Sequence, residues 1–300
     1  MTETTVGFVG LGIMGLPMAK NLVDAGYDVV GYNRSEEPMV ELVAHGGERA
    51  DSPADAAERS DVVITCLPDS EAVANVVRDD PDAVMTGLRE GMTVVDMSTI
   101  SPTTTEALAE DLAELGVDML DAPISGGEEG AIEGTLSIMV GGDEAVLDAH
   151  RDLFDVMGET VTHTGPNGAG QTTKACNQIV VAAQMTAVSE ALVFAAKAGA
   201  DLEAVVEAIS GGAAGCWALD NRAPSMIRGD FEPGFFASYQ YKDLRIATDA
   251  GEAFGSPMPV TEVVHELYKS MEENGMGLDD NSGVMQVIEL LAGTEARVEE

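Results

Sequence analysis

The segment "GQTTKACNQ", residues 170–178, places Lys174 and Asn177 at the head of a long apolar run, "IVVAAQMTAVSEALVFAAKAGA". The chain holds five lysines against 53 acidic residues, so a lysine in that setting needs a reason. On an apolar helix a lysine more commonly lays its stem along the surface and puts its ammonium in water. Buried beside apolar surface, its pKa instead moves toward neutrality, and the same group can give or take a proton. Asn177 follows three residues later, about a sixth of a turn around a helix, where it can orient the ammonium or bond a substrate.

A second constellation is "GLGIMG", residues 10–15, which fits G-x-G-x-x-G with Gly10, Gly12 and Gly15. It follows a strand pattern and opens a helical one, the context a dinucleotide-binding loop requires. Gly10 permits the tight turn, Gly12 lets a pyrophosphate approach the backbone, and Gly15 lets helix and strand pack closely. Leu11, Ile13 and Met14 complete the loop and are counted with the cofactor-binding residues, although the Met14 and Met18 side chains read as packing. NAD-binding chains usually end their second strand on an acid. Here Asn33, Arg34 and Ser35 stand there, so Arg34 can fork onto a 2′-phosphate with no carboxylate at 33 to repel it. That favours NADP(H), with NAD(H) possible; the bland alternative pairs Arg34 with Glu36 or Glu37.

These residues need elements to position them. "TTVGFVG", "YDVVGYN", "SDVVITCLP" and "GMTVVDMST" read as buried strands, and "VDMLDAP", "TLSIMVGG" and "ETVTHTG" add three more. The segment 10–26 is helical and stops on Gly26; 101–116 opens on Ser101 as N-cap and Pro102 and stops on Gly116. Alternating strands and helices predict a parallel sheet covered on both faces, an α/β doubly wound domain over residues 1–164. After "TGPNGAG" only helical periodicity remains: 168–199, 201–211, 217–227, 241–255, 258–273 and 282–292. Residues 165–300 are therefore expected to form an all-helical domain with a long first helix. That helix is apolar almost all round and must be buried on most sides, which predicts a partner subunit, in a homodimer or homotetramer.

Composition bounds the partners. The formal charge is −38, spread along the whole chain. A uniformly acidic surface suits concentrated salt, where the Debye length shrinks to about 3 Å at 1 M, and it predicts a salt-in halophile. No basic stripe exists to meet phosphates, so nucleic acid is not expected as a partner. No stretch reads as membrane-spanning, because the most apolar segment still carries Gln184, Ser189, Glu190 and Lys197. Cys66, Cys176 and Cys216 form no CxxC pair and the N-terminus has no basic start, which predicts a cytoplasmic protein with reduced thiols. Cys176 reads as a small core residue. No His, Asp or Glu set has metal-ligand spacing, and no metal is expected; His163 and His265 read as structural.

"GFVGLGIMGLPMAKNL", "DAPISGGEEGAIEGTLSIMVGG", "GAGQTTKACNQ" and "YKDL", in this order, resemble the β-hydroxyacid dehydrogenases over nearly the whole chain. That family includes 3-hydroxyisobutyrate dehydrogenase and tartronate semialdehyde (2-hydroxy-3-oxopropionate) reductase. The resemblance implies an N-terminal Rossmann-type domain and a helical domain whose first helix is very long, with Lys174 as the catalytic lysine and Asn177 its companion. It implies that Ser125, Gly126 and Gly127 hold the substrate carboxylate, that Leu67, Pro68 and Thr99 line the cofactor, and that Lys242 closes over it. The chemistry agrees with those types: hydride delivery to an aldehyde leaves an oxyanion that an ammonium can protonate, and consecutive backbone N–H groups can cradle a carboxylate. The implied activity interconverts a short, anionic 3-hydroxy acid and its semialdehyde. Cys216-Trp217 favours the 3-hydroxyisobutyrate type and the "DAPISGG" segment the semialdehyde reductases. Phe236, Tyr239 and Tyr241 have no evident use with a small polar substrate. Two other readings compete: an imine reductase on the same scaffold, which Lys174 argues against, and a non-catalytic dinucleotide-binding module.

Overall fold

The computed structural model describes residues 4–298. The chain divides into two compact units that meet between Lys174 and Ala175.

The first unit is built on one sheet. Its strands are β1 (Thr5–Val9), β2 (Asp28–Tyr32), β3 (Glu48–Arg49), β4 (Val62–Thr65), β5 (Thr93–Asp96), β6 (Asp118–Asp121), β7 (Ile124–Ser125), β8 (Leu136–Gly141) and β9 (Gly158–Gly165). Their order is β3-β2-β1-β4-β5-β6-β8-β7, with β9 also on β8. From β3 to β6 every pairing is parallel. The central strands are near-continuous apolar runs because both of their faces are covered. Val6, Phe8, Val62 and Ile64 enter the core on one face; Val9, Val63 and Val94 enter the core on the other. β8, by contrast, runs antiparallel to β6 and β7. Only residues 126–135 join β7 to β8, fewer than a parallel crossover needs.

Helix α1 (Gly15–Asp24) ends as the sequence predicts: Gly26 takes φ 91°, and the Tyr27 N–H reaches back to the Leu22 carbonyl. Helix α2 (Glu37–His45) follows β2, and α3 (Pro102–Glu114) starts where Pro102 predicts. Ser101 holds the N-cap position, but its hydroxyl bonds Thr103 Oγ1 and caps no backbone N–H. Helix α4 (Gly127–Glu133) lies between β7 and β8, and α5 (Ala169–Ala198) closes the unit with its first turns.

The second unit is all helical: the rest of α5, then α6 (Leu202–Ser210), α7 (Ala237–Phe254), α8 (Pro259–Glu273) and α9 (Val284–Ala292). Ala182, Met185, Leu192, Leu244, Tyr268 and Met285 share its core. The helix expected over 217–227 is two short turns, Trp217–Asn221 and Ala223–Met226, broken at Arg222. Pro224 explains the break, since it lacks the N–H that would bond Asp220 and its ring crowds that carbonyl. α7 starts four residues earlier than the expected 241, so Tyr239 is helical as well as Tyr241.

α5 is long and apolar enough to cross a membrane by length and composition, contrary to the expectation that no stretch is. Its buried face nonetheless belongs to the unit's own core. It also keeps an outer stripe that this chain leaves open: Val180 is 53% exposed and Phe194 75%. Cys176 lies on that stripe, exposed, and so is not the core residue it was expected to be.

Candidate active site

The β1–α1 turn gives its three glycines three different environments. Gly10 has φ 101°, and a Cβ there would sit 2.2 Å from the Cys66 carbonyl oxygen. A Cβ on Gly15 would lie 1.9 Å from the Gly10 carbonyl oxygen, so helix and turn touch backbone to backbone. A Cβ on Gly12 would meet nothing within 4 Å, so the loop's surface is open there. The end of β2 is tied to this turn. Asn33 Oδ1 accepts from the Leu11 N–H at 3.1 Å, and Asn33 Nδ2 donates to Ser35 Oγ at 2.8 Å. Arg34 is exposed and forms no ion pair with Glu36 or Glu37; Glu36 pairs with Arg49 at 3.0 Å. Ile13 is exposed beside Gly12, while Met14 packs against the core with the fully buried Met18.

Two further loops leave the same ends of the parallel strands. Asp96, buried at the end of β5, accepts from Thr65 Oγ1 at 2.8 Å and from Ser98 Oγ at 2.6 Å. The Ser98 hydroxyl in turn accepts from the Leu67 N–H at 2.8 Å. One carboxylate thus sets the height of the Leu67-Pro68 loop and of the loop carrying Thr99. Gln171 grips the second loop on both sides of Thr99: its Oε1 accepts from the Ile100 N–H at 3.0 Å, and its Nε2 donates to the Ser98 carbonyl at 2.8 Å.

Gln171 lies in the first turn of α5, and Asp121 seats that turn. Asp121 Oδ1 accepts from the Gly168 N–H and Oδ2 from the Gln171 N–H, both at 2.9 Å. These are helix N-terminal donors with no intrahelical partner, capped by a strand residue far away in sequence. Gly170 permits the close approach, since a Cβ there would fall 2.4 Å from the Asp121 carbonyl oxygen. Burial, helped by the charge of Asp96, pushes the Asp121 carboxyl up to about 6, against the pull of the two N–H groups.

One turn further along, Lys174 is 6% exposed, and its Nζ donates to the Ile124 carbonyl at 2.7 Å. The ammonium therefore does not snorkel to water. It rests on the residue immediately before Ser125-Gly126-Gly127. Ser125 ends β7, Gly126 has φ 144° and Gly127 φ 66°, a backbone that turns sharply to start α4.

In the second unit, Asn177 Nδ2 donates to Gln178 Oε1 at 2.7 Å, and Gln178 Nε2 donates to Asp243 Oδ2 at 2.7 Å. Asp243 Oδ1 lies 3.1 Å from Lys242 Nζ, an ion pair. Asn177 and Lys242 are thus connected through two residues that sequence reasoning passed over. The aromatic residues before Lys242 are accounted for by packing within this unit: Phe236 meets Tyr239 edge to face, and Tyr241 stacks on His265 at 4.9 Å. His163 bonds the Gly142 carbonyl, a structural contact.

Sequence reasoning also passed over Asp121 and Gln171. Asp121 stood in the quoted "DAPISGG" and Gln171 in "GAGQTTKACNQ", but nothing local says that a strand acid and a helix amide meet. The first unit brings together Gly10–Gly15, Asn33, Leu67, Thr99, Ser125–Gly127 and Lys174; Asn177 and Lys242 belong to the second.

The chain is similar to known proteins over nearly its whole length. Residues 5–165 match a family model described as the NAD-binding domain of 6-phosphogluconate dehydrogenase. Residues 168–288 match one described as NAD-binding of NADP-dependent 3-hydroxyisobutyrate dehydrogenase. The 2-hydroxy-3-oxopropionate reductase of Escherichia coli is 43% identical, covering 96% of this chain and 98% of that protein. A 3-hydroxyisobutyrate dehydrogenase of Mycobacterium tuberculosis, solved with L-serine, is 36% identical with a TM-score of 0.90, over 96% of this chain and 99% of that one. An imine reductase from Pseudomonas sp. covers 96% of this chain and 100% of its own at 22% identity and a TM-score of 0.61, a likeness of fold alone. The chain belongs to the β-hydroxyacid dehydrogenase family, and it is an NAD(P)-dependent oxidoreductase. The open face at Gly12, flanked by two glycines that no larger residue could replace, fits a pyrophosphate lying on the backbone.

Proposed function

We propose that this enzyme interconverts a short 3-hydroxy acid and its semialdehyde, with Lys174 as general acid and base. The observation that carries the reading is the seating of Lys174 Nζ on the Ile124 carbonyl, directly before Ser125-Gly126-Gly127. A bound dihydronicotinamide supplies the hydride. Ser125 and the N–H groups of Gly126 and Gly127 hold the substrate carboxylate, which sets the carbonyl within reach of Nζ. As the carbonyl oxygen gains charge, Lys174 passes it a proton; in the oxidative direction the amine takes the proton back. Asn177 bonds the reacting groups from three residues further along α5. Gly10, Leu11, Gly12, Ile13, Met14 and Gly15 carry the dinucleotide with Leu67, Pro68, Thr99 and Lys242.

The finer assignments are proposals of the same kind. NADP(H) is preferred over NAD(H), because Arg34 is exposed at the end of β2 and, among the described residues, has no ion pair to give up. The substrate is of the type named for the relatives, 2-hydroxy-3-oxopropionate or 3-hydroxyisobutyrate. The enzyme works in the cytoplasm of a salt-in halophile as a homodimer or homotetramer, a reading supported by the acidic surface and by the open stripe of α5.

Lys174→Ala tests the core of the reading. It should lower kcat by about 10³-fold or more while NADPH binding, followed by fluorescence titration, stays within about twofold. Turnover close to wild type would overturn the assignment. Initial rates with 3-hydroxyisobutyrate, glycerate, 3-hydroxypropionate and serine, each with NAD and NADP in molar salt, identify the substrate.

A further inference from the structure

The three side chains Asn177, Gln178 and Asp243 form a chain of hydrogen bonds whose direction is dictated from one end. A carboxylate carries no hydrogen and can only accept, so the side of Gln178 facing Asp243 must be its NH2. The 2.7 Å contact to Asp243 Oδ2 has that sense. Gln178 is then left with its carbonyl oxygen toward Asn177, and Asn177 must answer with its own NH2, again at 2.7 Å. The Asn177 carbonyl oxygen is therefore turned the other way. Among the described residues no hydrogen bond reaches it, and the residue is half-buried, not covered. Gln178 and Asp243 are 4% and 3% exposed, so neither amide nor carboxylate has water to trade partners with. The other carboxylate oxygen, Asp243 Oδ1, lies 3.1 Å from Lys242 Nζ, so the carboxylate is held from both sides.

We propose that Asp243 and Gln178 are positioning residues: the carboxylate, acting through the Gln178 amide, fixes Asn177 with its oxygen outward, as a hydrogen-bond acceptor for the reacting groups. An acceptor suits a partner that carries hydrogen. The Lys174 ammonium, three residues back on the same helix, is one, and the hydroxyl of the 3-hydroxy acid is another. Without the carboxylate the two amides could flip together and present a donor instead, which would repel the ammonium and could bond the hydroxyl only at its oxygen, not at its proton. This assignment rests on the proposed roles of Lys174 and Asn177.

The test is a double-mutant cycle on the full-length enzyme, with the fastest substrate of the panel and saturating NADP+ in molar salt. Asn177→Ala should lower kcat by about tenfold or more, the usual loss for a bond made to reacting groups. Gln178→Leu, which leaves the Asp243–Lys242 pair intact, should lower kcat to a similar extent. NADPH affinity should stay within about twofold, and the loss should not add to that of Asn177→Ala. Asp243→Asn keeps the shape but allows either amide order, and should cost about threefold or more in kcat with no further loss in the Asn177→Ala background. It also serves if Gln178→Leu fails to fold, judged by its thermal unfolding. Full activity in Gln178→Leu or Asp243→Asn, or losses that add to that of Asn177→Ala, would overturn the proposal while leaving Lys174 untouched. Full activity in Asn177→Ala would instead remove the companion role on which it rests.

Discussion

Arg34 illustrates how much a single residue can decide. Seven of the ten arginines of this acidic chain are held by carboxylates, among them Arg49 by Glu36, Arg59 by Glu48 and Asp55, Arg78 by Asp79 and Asp111, and Arg89 by Asp61. Among the described residues none holds Arg34, just beyond the end of β2, in this way. A guanidinium fork matches a phosphate dianion, and a 2′-hydroxyl offers it little. Arg34→Ala should therefore raise KM for NADPH by about tenfold and change KM for NADH by less than about twofold, measured as paired initial-rate series. Equal effects on both cofactors would leave NADP preference without its cause. The glycines of the same loop were legible one by one, because each answers a local steric demand: a positive φ at Gly10, open space at Gly12, a backbone contact at Gly15.

At the scale of elements, the first turn of α5 ties the loop around Thr99 to the helix that carries Lys174. Asp121 anchors that turn to β6, Gln171 carries its position to the loop around Thr99, and Lys174 follows one turn later. Gln171→Ala leaves a buried N–H and a buried carbonyl without partners. It should raise KM for NADPH by about three- to tenfold through the loosened loop, and lower the unfolding free energy by about 1–3 kcal/mol in urea titrations. Asp121 makes a pH-dependent contribution whose sign follows from its raised carboxyl, about 6 in the folded chain against an ordinary 3.8. The folded state binds that proton more tightly than the unfolded state does. The contribution to stability is thus fully present below about pH 4 and lost as pH rises through about 6. The unfolding free energy of wild type minus that of Asp121→Asn should fall by up to about 3 kcal/mol across that window and be level above it. A difference that grew with pH would mean that the two N–H groups and the helix dipole outweigh desolvation. Periodicity located α5 and most of its neighbours, but not the break at Arg222 or the early start of α7, since proline chemistry and an aromatic cluster override a simple period there.

For the whole molecule, charge is the dominant fact. A surface at −38 repels an anionic cofactor and an anionic substrate in dilute buffer. Between about 0.1 M and about 1 M salt the Debye length falls from about 10 Å to about 3 Å. KM for NADPH should accordingly drop by several-fold over that range, before any loss from crowding by salt; a KM that rose steadily instead would contradict adaptation to concentrated salt. The sequence alone determined this charge, the alternation that makes a doubly wound sheet, the glycine turn and the lysine, because each is written in composition, in a short period or in a run of a few residues. Tertiary structure alone decided what Lys174 rests on, that Asp121 caps a helix 47 residues downstream, and that Gln178 reaches Asp243 across 65 residues. Those contacts carry no local signature: hydrogen bonds between buried side chains depend on where the backbone has already brought them, and only the packed core fixes that.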